Sequence, residues 1–314
     1  MVSYLAFDLD STLVNLTTPV WTTLCILKQS SAAKLRKNMT LINQSNNYDW
    51  ESAHAYETFV KKIAHQEMSS QPLGIIRPGI IKVMSEVVKK RQNGLCKGVI
   101  MYTNNSNEAL VNFSRDLLEY IAKAKIFDDC LYVHHPLRAK RAVYPDMIKT
   151  WTVLKDLLVE SVGAPQTLMP NNVLFYDDQP HVNLMSALGV NYIHVTPYNY
   201  SPRKNRIIDI SIESFKGLLE PGLYEEFNLI VKACHPQMRA TTKADMLVEL
   251  RQLLGVTVQG PSKELPPSED LSISVMLDSL KHLKKIENNS NNFFSPSKKG
   301  KTKRRRFKTK RSKY

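Results

Sequence analysis

The amino-acid sequence predicts an α/β protein with a Rossmann-like parallel sheet. Short apolar segments with the character of strands alternate with longer segments in which apolar residues recur every three or four positions, as they do in amphipathic helices. Such alternation implies right-handed crossovers between parallel strands. In addition, acidic or hydroxyl residues follow directly after three of these strands, and open α/β sheets bind their ligands at the carboxyl ends of strands.

Five segments have the length and composition of strands. The first, Tyr4 to Phe7, is apolar and aromatic throughout, as expected of a strand that is buried on both faces. The later strands are predicted at residues 98–103, 130–134, 173–178 and 191–195.

Helices are predicted between the strands and after the last of them. The Arg77-Pro78-Gly79 sequence introduces one helix, because proline is well tolerated in the first turn. The predicted helices cover residues 20–28, 49–66, 80–91, 107–123, 146–162, 214–219, 222–233 and 244–254.

These elements predict a core domain with additions at its C-terminal side. The core covers residues 1–200, within which residues 15–71 form a small helical cap-like insertion. Residues 201–257 form a helical extension. A linker at residues 258–297 begins rich in Pro, Ser and Glu, and its residues 274–286 have the spacing of a short amphipathic helix.

Composition indicates an intracellular protein. No apolar run approaches the roughly 20 residues of a transmembrane helix, and the N-terminal stretch carries Asp8 and Asp10 instead of a signal-peptide core. We therefore expect a cytoplasmic or nuclear protein with no membrane partner. The four cysteines are scattered singly along the chain, which predicts free thiols and no zinc site.

The net charge of +14 is concentrated at the C-terminus. Eleven Lys and Arg residues and no acidic residue lie in residues 298–314, so residues 1–297 carry only +3. A segment of this composition cannot bury apolar surface, and we expect it to be disordered. It is compatible with a nuclear-localisation signal or with non-specific binding of nucleic acid through phosphates.

Two acidic pairs follow predicted strands. Asp8 and Asp10 come after the first strand, and Asp177 and Asp178 end the fourth. Carboxylates brought together in this way repel one another unless a cation or a shared proton is present. Since oxygen ligands suit Mg²⁺, the two pairs together predict a magnesium site if their strands are neighbours.

A hydroxyl and two amides follow the second strand. Thr103 ends this strand and is followed by Asn104 and Asn105. A hydroxyl at a strand end beside carboxylates can donate a hydrogen bond to a phosphoryl oxygen. Among the histidines, His181 lies three residues beyond Asp178 and is the one that could reach the edge of such a site.

At these residues the chain resembles the haloacid dehalogenase superfamily, whose first motif is Asp-x-Asp-x-Thr/Val-Leu. Here the motif is Asp8, Asp10, Thr12 and Leu13. Within the superfamily, the chain is most similar to the NLI-interacting-factor-like phosphatases, which include the phosphatases of the RNA polymerase II C-terminal domain. The resemblance covers about residues 3–197 and includes the sequences Leu9 to Val14, Arg77-Pro78 and Asp177-Asp178-Gln179-Pro180.

The resemblance implies a fold, a cofactor and a set of residue roles. The sheet would be of the haloacid dehalogenase type, and the insertion would be a cap that screens substrates. Asp8 would be the nucleophile and Asp10 the general acid and base. Mg²⁺ would be held by Asp8, by the backbone carbonyl of Asp10 and by one or both of Asp177 and Asp178.

The remaining roles concern substrate binding. Thr103 and a lysine would bind phosphoryl oxygens, with Asn104 on the same side, and Thr12 would support the loop by local hydrogen bonding. Lys149 is our choice for this lysine because it lies near the start of its predicted helix, although Lys155, in the sequence Lys-Asp-Leu, is the alternative. The preceding basic loop, which begins with Arg138, could also supply positive charge.

The implied activity is Mg²⁺-dependent hydrolysis of phosphomonoesters, with a phosphoserine or phosphothreonine protein as the leading substrate. The interval between the first and second motifs is longer than usual for the family, and Gln179 stands where Ser is common. Two alternatives therefore stay open, namely a nucleic-acid end phosphatase or nucleotidase, and a binding module without catalysis on the same fold.

Overall fold

The computed structural model describes residues 2–27, 46–139, 149–255, 270–281 and 283, with only the helical backbone for residues 46–50. The chain divides into two units, residues 1–284 and 285–314, and the second lies outside the described residues. The predicted basic tail and residues 258–269 of the predicted linker also lie outside them.

The predicted parallel sheet is confirmed. Its five strands are all parallel and have the order β3-β2-β1-β4-β5. The strands are β1 (Tyr4–Phe7), β2 (Gly98–Tyr102), β3 (Asp129–Leu131), β4 (Val173–Asp177) and β5 (Tyr192–His194).

The central position of β1 determines where the site can form. Phe7, its last residue, is level with Met101 of β2 on one side and with Tyr176 of β4 on the other. The chain passes from β1 to β2 on one side and reaches β4 on the other, so the strand order reverses at β1. Ligands of open α/β sheets bind at such a switch point.

Helices cover both faces of the sheet. The face that carries Leu5, Phe7, Met101 and Tyr176 packs against one set of helices, and the opposite face, with Ala6 and Phe175 among its residues, packs against another. The first set comprises α3 (Ile80–Gln92), α4 (Glu108–Ala122) and the last of the described helices, α11 (Leu271–Leu280). The second comprises α6 (Trp151–Val162) and α7 (Val182–Leu188), and the short α5 (Pro136–Ala139) packs on α6.

The predicted insertion and the predicted extension pack against each other. The insertion contains α1 (Thr18–Leu27) and α2 (Asn46–Glu67), and residues 28–45 between them lie outside the described residues. The extension contains α8 (Lys204–Ser214), α9 (Tyr224–Cys234) and α10 (Lys243–Gly255). Both α1 and α2 contact α4 and α8, and the Thr23 hydroxyl donates to Ser211 Oγ at 2.7 Å. A role for the insertion as a cover over the site stays a prediction.

Several elements differ from the sequence-based expectation. The short helices α5 and α7 were not predicted, and α11 begins at Leu271, ahead of its predicted start at residue 274. Helix α8 lies at residues 204–214, ahead of the predicted 214–219 segment, which is a short 3-10 turn at Lys216–Leu219. Its isoleucines have low intrinsic helix propensity, yet burial of Ile207, Ile208 and Ser211 on one face favours the helix. Helix α6 begins at Trp151, and residues 146–148 of its predicted start lie outside the described residues. Strand β3 stops at Leu131, short of the predicted end at residue 134.

A buried arginine joins α11 to the loop after β1. The Arg77 side chain is 1% exposed, and its Nε donates to Asp270 Oδ2 at 2.6 Å. Its other nitrogens donate to the carbonyls of Thr12 and Thr196. Asp270 also caps α11 by accepting from Ser272 N. The Arg-Pro-Gly sequence is thus an anchor for the loop that carries the first acidic pair.

Gly79 is needed where α3 meets α11. Its φ of 83° lies in the left-handed region, which glycine adopts without steric cost. A Cβ atom at this position would lie 3.1 Å from two side-chain carbons of Ile273. A larger residue would therefore strain the backbone and push α11 away.

Among the described residues, no helix has both the length and the apolar character needed to cross a membrane.

Candidate metal and phosphate site

Three carboxylates meet at the carboxyl ends of β1 and β4. One oxygen from each of Asp8, Asp177 and Asp178 lies within 4.8 Å of the others, and all three residues are buried. The Asp8 amide continues the pairing of the strands by donating to the carbonyl of Tyr176 at 2.8 Å. Three of the four carboxylates of the predicted acidic pairs therefore come together, because their strands are neighbours, and Asp10 is the one that lies outside this cluster.

A buried lysine bridges two of these carboxylates. Lys149 Nζ lies 2.5 Å from Asp8 Oδ1 and 2.7 Å from Asp177 Oδ2, and its side chain is 1% exposed. Lys149 directly precedes Thr150, which caps α6 by accepting from Val153 N. The lysine is thus just outside the helix in which we predicted it. Lys155 lies within α6 and is partly exposed.

Burial shifts the titration of this cluster. It raises the pKa of Asp8 to about 7, and Lys149 opposes the rise while the Asp177 charge adds to it. Burial alone would lower the pKa of Lys149, but attraction to Asp8 and Asp177 outweighs it and raises the pKa. The lysine is therefore held in its charged form, and it offsets part of the repulsion among the carboxylates.

Asp10 is separate from the three clustered carboxylates and has its own partner. Asn105 Nδ2 donates to both Asp10 oxygens, at 3.2 and 3.0 Å. Burial raises the pKa of Asp10, and hydrogen bonds from Asn105 and Thr103 oppose this rise. Ser11, the next residue, has a φ of 57°, in the left-handed region that few non-glycine residues adopt. The chain turns sharply there, directly after Asp10.

Thr12 joins the two acidic motifs. Its hydroxyl donates to Asp178 Oδ1 and accepts from Asp178 N, both at 3.0 Å. We expected Thr12 to make local hydrogen bonds and to lie on the substrate side. Instead, these hydrogen bonds join residues that are 166 positions apart in the sequence, and the Thr12 side chain is fully buried. Contact between this hydroxyl and a substrate would require displacement of Asp178.

Thr103 and Asn104 lie at the end of β2, as predicted. Thr103 is 1% exposed, and its Oγ1 accepts from Asn105 N at 3.1 Å. Asn104 Oδ1 accepts from Arg138 Nη2 at 3.2 Å. Arg138 also donates to the carbonyls of Thr103 and Leu131 and lies 4.9 Å from the centre of the Tyr102 ring. Positive charge from the basic loop is thus close to the strand ends. The next basic residues of that loop, Lys140 and Arg141, lie outside the described residues.

The sequence analysis did not assign a role to Asn105, which the structure places beside Asp10, whereas it singled out His181 as able to reach the edge of the site, and this residue lies beside Asp177. The only local signal for Asn105 was its position two residues after the end of a strand. His181 Nε2 lies 3.4 Å from Asp177 Oδ2, and burial lowers the pKa of this histidine.

The donor set fits Mg²⁺. Asp8, Asp177 and Asp178 offer oxygen atoms only, which is the ligand type that Mg²⁺ takes in proteins, and they lie close enough to share one ion. The carboxylate of Asp10 is held apart by Asn105, so this residue could join such a site only through its backbone carbonyl, as the resemblance implies.

We compared the chain with protein-family models, curated proteins and solved structures, and none of them matches.

Proposed function

We propose that this chain is a Mg²⁺-dependent phosphatase of the haloacid dehalogenase superfamily, which hydrolyses phosphomonoesters through an aspartyl-phosphate on Asp8. The bridge that Lys149 makes between Asp8 and Asp177 is the main support for this proposal. It puts a buried cation, a candidate nucleophile and a candidate metal ligand at the ends of adjacent strands. In an acidic turn at the surface, the carboxylates would be exposed and solvated and would need no lysine. Here the three carboxylates are buried, and the lysine is buried with them.

In this proposal Asp8 attacks the phosphorus atom of the substrate. Its oxygen forms the new P–O bond while the bond to the leaving oxygen breaks. Lys149 remains protonated and donates to the phosphoryl oxygens, whose negative charge it offsets. Asp8, Asp177 and Asp178 would hold Mg²⁺, whose positive charge would favour the ionised carboxylates and offset the charge of the phosphoryl group.

Asp10 acts as the general acid and then as the general base. In its protonated form it gives a proton to the leaving oxygen, and as a carboxylate it later takes a proton from the water that hydrolyses the aspartyl-phosphate. Asn105 holds this carboxyl group in place through both oxygens. Thr103 and Asn104 lie at the neighbouring strand end and would bind phosphoryl oxygens on that side.

The leading substrate class is a phosphoserine or phosphothreonine protein. Support comes from the resemblance to NLI-interacting-factor-like phosphatases at the first motif, at Arg77-Pro78 and at the second acidic pair. The second candidate is a nucleic-acid end phosphatase, which the eleven basic residues of the tail favour. A cytoplasmic or nuclear location suits both, and the tail would serve for nuclear targeting in the first case.

Phosphate release from p-nitrophenyl phosphate tests the chemistry. We expect release by the wild type in Mg²⁺, no release in the presence of a chelator, and loss of release in Asp8→Asn. If wild-type protein with intact secondary structure releases no phosphate from any phosphomonoester offered, the chain is a binding module on this fold and the proposed activity is wrong.

Two substrates and one deletion distinguish the candidates. A phosphoserine peptide and a 3′-phosphorylated oligonucleotide are compared for the full chain and for a chain that ends at residue 297. A protein phosphatase should turn over the peptide better in both forms. A nucleic-acid end phosphatase should prefer the oligonucleotide, and its turnover should fall after removal of the tail.

A further inference from the structure

A cavity of about 320 Å³ lies where α2 ends and α3 begins. This volume falls at the lower end of the range for small-molecule pockets. Two of its lining residues are charged, Glu67 and Arg77, and the apolar side chains on its wall include Met68, Pro72, Ile76, Ile81 and Ile121.

The carboxylate belongs to Glu67, the last residue of α2. Its Oε1 accepts from Ile75 N at 2.7 Å and from Ile76 N at 3.3 Å. Within the part of the chain that the structure describes, Oε2 has one long contact, 3.4 Å from Gly74 N. One oxygen is thus well satisfied and the other retains acceptor capacity. Burial raises the pKa of Glu67 to about 7, although the backbone N–H groups oppose the rise. The carboxylate would therefore gain from a cationic partner.

The other charged residue on the cavity wall is already paired. Arg77 forms a 2.6 Å ion pair with Asp270 and also donates to the carbonyl of Thr12. Tyr198, which packs beside Arg77, donates its hydroxyl hydrogen to the carbonyl of Gly74. These contacts leave Glu67 as the group that gives the cavity its charge preference.

We propose that this cavity is a binding site for a small organic ammonium ion that carries an apolar body. The ammonium group would donate to Glu67 Oε2, and the body would pack against Met68, Ile81 and Ile121. An anion would be disfavoured by the Glu67 charge, and a neutral compound would leave that charge without its partner.

The wall of the cavity also supports the loop after β1. Two backbone hydrogen bonds join them. The carbonyl of Ile75 accepts from Asn15 N at 2.7 Å, and Arg77 N donates to the carbonyl of Leu13 at 3.0 Å. Ile76 pairs with Val14 in an antiparallel bridge. A ligand that fixes residues 74–77 would thus stabilise the loop that begins at Asp10. The binding proposal itself does not rest on the proposed phosphatase activity.

Binding of benzylamine to the full chain tests the proposal. Benzyl alcohol and phenylacetate serve as the neutral and anionic probes of similar size, and calorimetry above neutral pH keeps the Glu67 carboxyl ionised. We expect benzylamine to bind about tenfold more tightly than benzyl alcohol, because one charge-assisted hydrogen bond is worth about this factor. Glu67→Gln should remove the difference. Equal affinity of the wild type for the two probes, or no binding of benzylamine, would overturn the proposal.

A cavity-filling variant locates the bound amine. Ile81 is partly exposed, so Ile81→Phe should fold while its ring occupies the cavity, and Ile121→Phe is a second variant with the same aim. Benzylamine binding should be lost in whichever variant retains the wild-type circular dichroism spectrum. Undiminished binding there would place the amine elsewhere and overturn the proposal. Because this experiment measures binding, a negative result would overturn the cavity proposal without bearing on the proposed phosphatase activity.

Discussion

Asn105 holds both oxygens of the Asp10 carboxylate through a single amide nitrogen, at 3.2 and 3.0 Å. Its own Oδ1 accepts from Asn107 N at 2.7 Å, so the amide orientation is fixed by the backbone at the start of α4. Asp10 is therefore positioned by a residue that lies 95 positions away in the sequence. This arrangement suits a carboxyl group that must reach a leaving oxygen without joining the neighbouring acidic cluster.

The first prediction is that Asn105→Ala is selective for substrates with poor leaving groups. Serine is a poor leaving group and needs the proton from Asp10, whereas p-nitrophenolate leaves without one. We expect kcat to fall about 10²-fold on a phosphoserine peptide and only slightly on p-nitrophenyl phosphate. Asn104→Ala, at a residue proposed to bind phosphoryl oxygens, should instead lower kcat on both substrates alike and serves for comparison. An equal loss on both substrates would mean that Asn105 does not act through Asp10.

The second prediction concerns the buried lysine. Lys149→Met removes the charge that bridges Asp8 and Asp177, and we expect kcat to fall by about 10²–10³-fold, the usual effect of removing a group that stabilises transition-state charge. Lys155→Met changes the same residue type six positions later and should leave kcat near the wild-type value. Steady-state kinetics on p-nitrophenyl phosphate measure both. Comparable losses in the two variants would contradict our choice of Lys149.

The third prediction concerns the contact between Thr12 and Asp178. Thr12→Val preserves the shape of the side chain but leaves the amide and one carboxylate oxygen of Asp178 without their partner. We expect the free energy of unfolding to fall by about 1–3 kcal/mol. Thr12→Ser keeps the hydroxyl and should lose less. Urea denaturation of the three proteins measures the difference, and a Thr12→Val variant as stable as the wild type would show that the hydroxyl contributes nothing.

The fourth prediction is a pH dependence of stability that originates at Glu67. Its pKa is about 7 in the folded protein and near the ordinary value of 4.5 when the chain is unfolded, so the folded state binds more protons between these values. The free energy of unfolding should therefore decrease as the pH rises from about 4.5 to about 7, by at most about 3 kcal/mol from this group. The Glu67→Gln variant has no carboxyl group at this position, so its free energy of unfolding should lack this part of the pH dependence. Urea denaturation across this pH range compares the two proteins, and parallel curves would contradict the assignment.

The sequence was sufficient to predict the sheet and the convergence of its acidic ends. Strands buried on both faces read as continuous apolar segments, and the residues that follow them are necessarily brought to one edge of a parallel sheet. The meeting of Asp8 with Asp177 follows from these two facts together with the pairing of β1 with β4, which the structure shows. Helix α4 was also predicted to within one residue at each end, because Asn107 caps its start and its apolar residues keep a helical spacing.

The contacts that refine the site could not be predicted in this way. The Thr12 to Asp178 and Arg77 to Asp270 pairs join residues 166 and 193 positions apart, and no local pattern encodes them. Helix α8 was not predicted, because its isoleucines favour strands by intrinsic propensity. In the folded protein, burial of these side chains against α1, α2 and α10 stabilises the helix. The link between the insertion and the C-terminal helices is likewise a product of tertiary packing.

Identification of the phosphorylated residue tests the central claim most directly. Protein mixed with p-nitrophenyl phosphate in Mg²⁺ is quenched in acid, digested and analysed by mass spectrometry. We predict a phosphoryl group on the peptide that contains Asp8, more of it in Asp10→Asn because the hydrolytic step then lacks its base, and none in Asp8→Asn. Release of phosphate at the wild-type rate by Asp8→Asn, or turnover without any phosphorylated Asp8, would contradict the account.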